Sequence, residues 1–423
     1  MFRTETNTPR IPTGMRSRTA IGYRTRIGGF VAALLVGASG VLAAPADDRG
    51  VDDVVRQKMA DAGIVGAGAA IIVDKEVVWS KGYGLADRAS GRAFTTDTVM
   101  NIGSISKTVL GAAMMRAVAS GVLSLDADIN TYLPFRIVNP HQPNATITLR
   151  HLATHTSSIT DRWAAYAGTY HYGGDSPEPL GAFLERYFVP GGALYTPENF
   201  LKAPPGTQRE YSNIGAGLAG YIVERATGVP LNVYTREHIF TPLGMTRTGW
   251  FLSEIDLANH STLYVAQNGM TIPIPLYGGT TYPDGGVRTS VADLAKFFAA
   301  LLHEGEYGGV RIMDAEATKE MVRFQFTDAN RPENFPATAG NSGLFWRTKF
   351  NGTRVGHGGS DPGVHTEMLA DVDHKIGVVL FVNTSLSGNE QEAVSIIFDA
   401  VWKHAEAVAS QKRQTRPGSV PEK

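Results

Sequence analysis

The chain contains no cysteine in 423 residues. Disulfides, thiolate metal ligands, a cysteine nucleophile and a lipid-modified N-terminal cysteine are all excluded. An excess of charge of one sign is also missing. Lys+Arg number 39 and Asp+Glu 40, a formal net charge of -1. No global basic field exists to recruit nucleic acid. After Ala46 no apolar run is long enough to span a bilayer. There is no G-x-S-x-G, which removes the nucleophile elbow of an α/β-hydrolase. No repeat of solenoid or propeller type occurs.

What is present is an ordinary globular composition, 43% hydrophobic and 19% charged. The N-terminus departs from it. Arg16, Arg18, Arg24 and Arg26 precede an apolar run from Ile27 to Leu42, which ends at Ala43-Ala44-Pro45-Ala46. A basic region, an apolar core and small residues at the exit describe a signal peptide over residues 1–46. A periplasmic or secreted protein follows, with no membrane span once the signal is removed. The absence of an Arg-Arg pair argues against a twin-arginine route. Residues 47–409 then form one domain. Residues 410–423, polar and carrying Pro417 and Pro421, read as a disordered tail.

Val51, Val54, Val55 and Met59 have helical spacing. Gly66 to Gly84 reads as two apolar strands joined through Asp74-Lys75. The pattern recurs at Val364–Ala370 and Ile376–Val382. A last helix carries Ala393, Val394, Ile397, Phe398, Val401 and Trp402 on one face. These elements specify an α+β fold. An antiparallel sheet, from about 51–100 and 350–405, is flanked by terminal helices. A large, mainly helical insertion spans about 104–350.

Three segments carry chemistry. In Ser104-Ile-Ser-Lys107, good helix formers follow the serine, so Lys107 lies one turn away on the same face. A serine hydroxyl needs a neighbour to take its proton, and a lysine in low-dielectric surroundings suits that task. In Tyr211-Ser-Asn213, a Pro/Gly turn delivers a phenol for proton relay and an amide for Lys107 or a substrate carbonyl. In His357-Gly-Gly359-Ser360, glycines let backbone approach a ligand, and an N–H there can complete an oxyanion hole.

In this order and with these gaps, Ser104-x-x-Lys107, Tyr211-x-Asn213 and His357-x-Gly359 resemble the three motifs of the class C β-lactamase and DD-peptidase family of serine hydrolases. The resemblance covers about Val51 to Ala405. Leu149–Ser158, Leu243-Gly-Met245 and Asp284–Ala295 also look like the family. It implies that Ser104 is acylated, with Lys107 and Tyr211 sharing acid and base work. Asn213, His357 and Gly359 would bind substrate, and the amides of Ser104 and Ser360 would hold the oxyanion. It implies no metal and no cofactor. His357 stands where true class C lactamases have lysine, a departure that argues against antibiotic hydrolysis, since neutral His is a weaker carboxylate partner. The expected substrate is a small peptide or amide, including D-residue peptides such as peptidoglycan stems or linearised microcystin. The alternatives are an esterase on short acyl esters, and a β-lactamase or penicillin-binding protein with little turnover. Specificity is expected from Trp163–Thr196 and Leu263–Tyr282. Nothing specifies an oligomeric state.

Two matches are set aside. Gly215-x-Gly217-x-x-Gly220 lacks the apolar strand that a dinucleotide site requires, and fits small residues packed closely on a helix. His151 and His155 are spaced i, i+4, but Leu152 replaces the glutamate of a zinc protease, so both are read as structural.

Overall fold

A computed structural model describes residues 47–267, 270–388 and 391–415. The signal peptide expected at 1–46 lies outside the described residues, as do residues 416–423. No helix among the described residues is long and apolar enough to cross a membrane.

The central sheet has seven antiparallel strands. In spatial order they are Arg347–Lys349, Arg354–Asp361, Val364–Asp371, Ile376–Val382, Gly66–Val73, Glu76–Asp87 and Arg92–Ala93. Both hairpins expected from the sequence are present. They meet in the middle, where Ala67 faces Val382 and Val73 faces Ile376. Asp74 and Lys75 have φ of 48° and 76°. Two successive residues in that region give the primed turn that matches strand twist.

The two central strands are buried along their whole length, because both faces of the sheet are covered. Ala67, Ala69, Ile71, Val378, Leu380 and Val382 pack with Val55 and Met59 of the Arg49–Ala62 helix and with Ile397, Phe398 and Val401 of the last helix. Ala70, Ile72, Val379 and Phe381 point the other way, into the core of the insertion. That alternation is the two-residue period of a strand read from both sides.

The insertion is helical at its centre, in Ser106–Ala119, Asn213–Thr227 and Val291–Leu302. It also holds small ribbons that the sequence did not announce. Tyr170–Tyr172 pairs with Tyr277–Gly279, and the rings of Tyr170 and Tyr172 both pack on Tyr277. The last helix runs from Gln391 to Thr415, past the boundary expected at 409. Lys412 reaches the Glu76 carboxylate and the Val73 carbonyl, which ties the polar end of the helix to the sheet.

Phe298, fully buried on the Val291–Leu302 helix, packs against Gly377 of the sheet. Phe298→Ala is expected to cost about 3–5 kcal/mol, read from the shift of the urea unfolding midpoint.

Candidate active site

Ser104 sits in a 3-10 turn, Gly103–Ile105, that runs directly into the Ser106–Ala119 helix. Ile102 and Ile105, both fully buried, anchor the turn on either side. Gly103 has φ of 51°, in the left-handed region that favours glycine. A methyl group on Gly103 would lie 3.1 Å from the Ser360 amide nitrogen, so its bareness also lets the neighbouring strand come close.

Lys107 is fully buried. Its ammonium donates to Ser104 Oγ at 3.1 Å, to Asn213 Oδ1 at 2.8 Å and to the Asp284 carbonyl at 2.7 Å. Three protons meet three acceptors, which offsets the cost of taking the charge out of water. Tyr211 donates its phenol hydrogen to Ser104 Oγ at 2.9 Å, and the Lys107 ammonium stands 5.0 Å from its ring centre. The nucleophile candidate thus accepts from both partners expected for it. Tyr211 and Lys107 communicate through Ser104 Oγ rather than by a direct hydrogen bond.

The segment bearing Tyr211 and Asn213 is held at a helix start. Ser212 caps the Asn213–Thr227 helix by accepting from the Gly215 amide at 2.8 Å. Asp161 accepts from Ser212 Oγ at 2.7 Å, the Asn213 amide at 2.7 Å and the Ile214 amide at 3.0 Å. The His155 ring lies 4.3 Å from the Tyr211 ring, and its Nδ1 accepts from the Ser212 amide. The short Leu149–Ala153 helix ends before His155, which has φ of 60°. His151 and His155 are therefore not one turn apart on a helix. His151 Nδ1 accepts from the Thr148 amide in a capping box. Gly215, Gly217 and Gly220 lie buried within the helix, and a methyl on Gly220 would stand 2.5 Å from Pro283.

The glycine-rich run at 357–360 lies within the strand Arg354–Asp361. Pairing with Val364–Asp371 satisfies its backbone and presses it against the nucleophile turn. A methyl on Gly359 would fall 2.1 Å from the Ile102 carbonyl, to which Thr366 Oγ1 also donates. His357 is buried, with Nδ1 2.7 Å from the Gly358 carbonyl. An Nδ1–H satisfies that contact and leaves Nε2 as an acceptor. Burial, then the positive charges of Arg347 and Lys107, hold its imidazole well below the usual range, so the ring is neutral.

Ser104, Tyr211, Asn213, His357, Gly359 and Ser360 all border one cleft of about 570 Å³. Lys107 lies beneath its floor. The cleft has further residues to which the sequence assigned no role. Asp284 and Asp361 line one wall with Tyr166 and Tyr170, and Trp163 stands 74% exposed at the rim. Burial pushes the Asp284 carboxyl up to about 7 and that of Asp361 up to about 6. Asp161 was equally silent: it lies three residues beyond the family-like Leu149–Ser158 segment. Tyr166 and Tyr170 do fall in the loop expected to carry specificity.

The family profile described as Beta-lactamase matches residues 51–401. The chain belongs to the beta-lactamase family of serine hydrolases. Esterase EstB of Burkholderia gladioli is 32% identical over 208 residues, 48% of this chain and 52% of the relative. The putative D-alanyl-D-alanine carboxypeptidase of Escherichia coli (strain K12) is 27% identical over 332 residues, 69% of this chain and 70% of the relative. The chain therefore spans about half the length of the esterase. Among solved structures, the octameric penicillin-binding protein homologue from Pyrococcus abyssi superposes with a TM-score of 0.67 at 26% identity, over 84% of this chain and 77% of that one.

Two outcomes follow from this family member's site. Asp161→Ala removes a cap shared by two amides and a hydroxyl, and is expected to cost about 2 kcal/mol in urea unfolding. Asp284 has its folded pKa raised from 3.8 to about 7, so the native state holds the proton more tightly than the unfolded chain. Its contribution to stability is present below pH 3.8 and is lost as pH rises toward 7. Asp284→Asn should gain on the wild type by a few kcal/mol between pH 4 and pH 8, measured by urea unfolding at both.

Proposed function

We propose that this protein cleaves amide or peptide bonds of small peptides, D-residue peptides included, through an acyl-enzyme on Ser104. The observation that carries this reading is the placement of Ser104 Oγ, 3.1 Å from Lys107 Nζ and 2.9 Å from Tyr211 Oη, at the floor of a solvent-open cleft. Both groups are donors in the resting arrangement. Loss of one proton from the pair turns a donor into an acceptor, and the serine hydroxyl then has a base. Ser104 Oγ attacks the scissile carbonyl as its proton passes to that base. The Ser104 and Ser360 amides hold the developing oxyanion. The same pair returns the proton to the leaving amine, and the acyl-enzyme forms as the C–N bond breaks. Water then attacks the ester by the same proton path. Asn213 keeps Lys107 aimed and presents its amide to the substrate.

The neutral His357 supports the peptidase reading over a β-lactamase one. A cation at that position would pair with a β-lactam carboxylate, and an uncharged imidazole does so weakly. Export to the periplasm or beyond, expected from residues 1–46, would bring the enzyme to peptidoglycan-derived or other extracytoplasmic peptides.

A second reading is an esterase on short acyl esters, favoured by the 32% identity to an esterase. The machinery is common to both, since both pass through a tetrahedral oxyanion. Comparing kcat/KM for a p-nitrophenyl ester and for D-Ala-containing peptides decides between them. A peptide rate at background eliminates the first reading.

Ser104→Ala is expected to abolish hydrolysis of both substrates, and retained activity would overturn the assignment of the nucleophile. Tyr211→Phe and Lys107→Ala should each lower kcat by roughly 10²–10⁴-fold, the range for loss of a positioned acid or base.

A further inference from the structure

The Asp284–Asp361 wall has no part in the mechanism above, yet it adjoins the reacting atoms. Tyr166 donates its phenol hydrogen to Asp284 Oδ1 at 3.1 Å, and Tyr170 donates to Asp361 Oδ1 at 2.6 Å. Asp284 is only 5% exposed, and its Oδ2 has no hydrogen-bond partner. A methyl on Gly285 would lie 3.4 Å from Asp361 Oδ2 and 3.8 Å from the Gly103 carbonyl carbon. Gly285 thus adjoins both Asp361 and the residue that precedes Ser104. The Asp284 backbone already holds Lys107.

Charge on this side of the cleft is unbalanced. Asp161, Asp284 and Asp361 face the cations Lys107 and Arg288. Lys107 is committed to three acceptors. The Arg288 guanidinium is committed to the carbonyls of Trp250, Gly286 and Tyr277. Asp161 is committed to the helix start. The other cleft cations, Arg347 and Lys349, act on the His357 side, and Lys349 is paired with Glu367. Lys107 and Arg288 thus give these protons to neutral acceptors, not to the wall carboxyl groups. A buried carboxyl oxygen without a partner is costly, and a donor that carries positive charge both bonds it and favours its ionised form. The surroundings suit a cation further. Tyr166 and Tyr170 meet edge to face, 5.8 Å between ring centres, and Trp163 stands at the rim. Aromatic faces attract ammonium groups.

We propose that the Asp284–Asp361 wall binds the protonated amine of the substrate. A primary ammonium brings three donors and one charge, enough for Asp284 Oδ2, Asp361 Oδ2 and an aromatic face. The proximity of the wall to Gly103 selects an amine close to the scissile carbonyl, the free α-ammonium of an aminoacyl amide or ester. N-acylated substrates lose both the charge and two of the donors. This inference rests on the serine-hydrolase reading and narrows its substrate class. The raised carboxyl groups fit it, because an arriving ammonium restores the ionised form that burial disfavours.

The test compares D- and L-alanine p-nitroanilide with their N-acetyl counterparts on the full chain. The free amine should be preferred by at least about 10-fold in kcat/KM. Asp361→Asn should bring that ratio near one, chiefly through a higher KM for the free-amine substrate. The ratio is taken within one preparation, so partial misfolding does not move it. Equal or better rates on the acetylated substrates, or an unchanged ratio in Asp361→Asn, overturn the proposal. Calorimetric titration of the Ser104→Ala protein with phenylalaninamide and N-acetylphenylalaninamide makes the comparison without turnover. Tighter binding of the free amine supports the wall even if no substrate is cleaved, an outcome that overturns the hydrolase reading alone. Equal binding, or none of either amide, overturns the amine site and leaves the wall a structural network.

Discussion

A lysine ammonium with no solvent contact organises this molecule. Lys107 is tolerable inside the protein only because three acceptors converge on it, and they come from three separate segments. Ser104 precedes it by one turn. Asn213 opens a helix more than a hundred residues later, and the Asp284 carbonyl belongs to a turn further on. Any movement that loses one acceptor leaves buried charge less compensated, and such a loss is far more expensive than an ordinary hydrogen bond. The same convergence sets the candidate nucleophile Ser104, its candidate base and the Asn213 amide in one place.

The sheet supplies the other half of the cleft by backbone alone. The strand Arg354–Asp361 lies so near Ile102 that Gly359 has no room for a side chain, and Ser360 follows it against the nucleophile turn. That strand is bonded to the C-terminal hairpin, whose other strand pairs with the N-terminal hairpin. The chain termini therefore brace the wall opposite Lys107, and the terminal helices cover the far face of the same sheet. The cleft is also asymmetric in charge. A neutral imidazole with arginine and lysine borders one side, and carboxylates with phenols border the other.

The family motifs were legible because they are local. Ser104 and Lys107 are joined by helix geometry, and Tyr211 and Asn213 by one turn. The central strands were readable as continuous apolar runs, because both their faces are covered, and the terminal helices from their period. Other features were not readable. Asp161 carries no motif, and although Asp284 opens a family-like segment and Asp361 follows Ser360, nothing local says that the two share one wall. The glycines at 357–360 were expected to let backbone approach a ligand, and Gly359 also admits the neighbouring Ile102 backbone. The last helix outran its apolar face because a lysine near its end found an acceptor on the sheet.

Sequence alone determined the α+β layering, and it singled out Ser104 as the candidate nucleophile with Lys107 and Tyr211 as its candidate partners. These depend on periodicity and short spacing, which the chain carries locally. Only the tertiary structure decided that Tyr211 and Lys107 meet through the serine oxygen, that His357 is neutral, and that two half-satisfied carboxylates line the cleft. Those properties arise from burial and from contacts between residues far apart in the chain, and no local pattern encodes either.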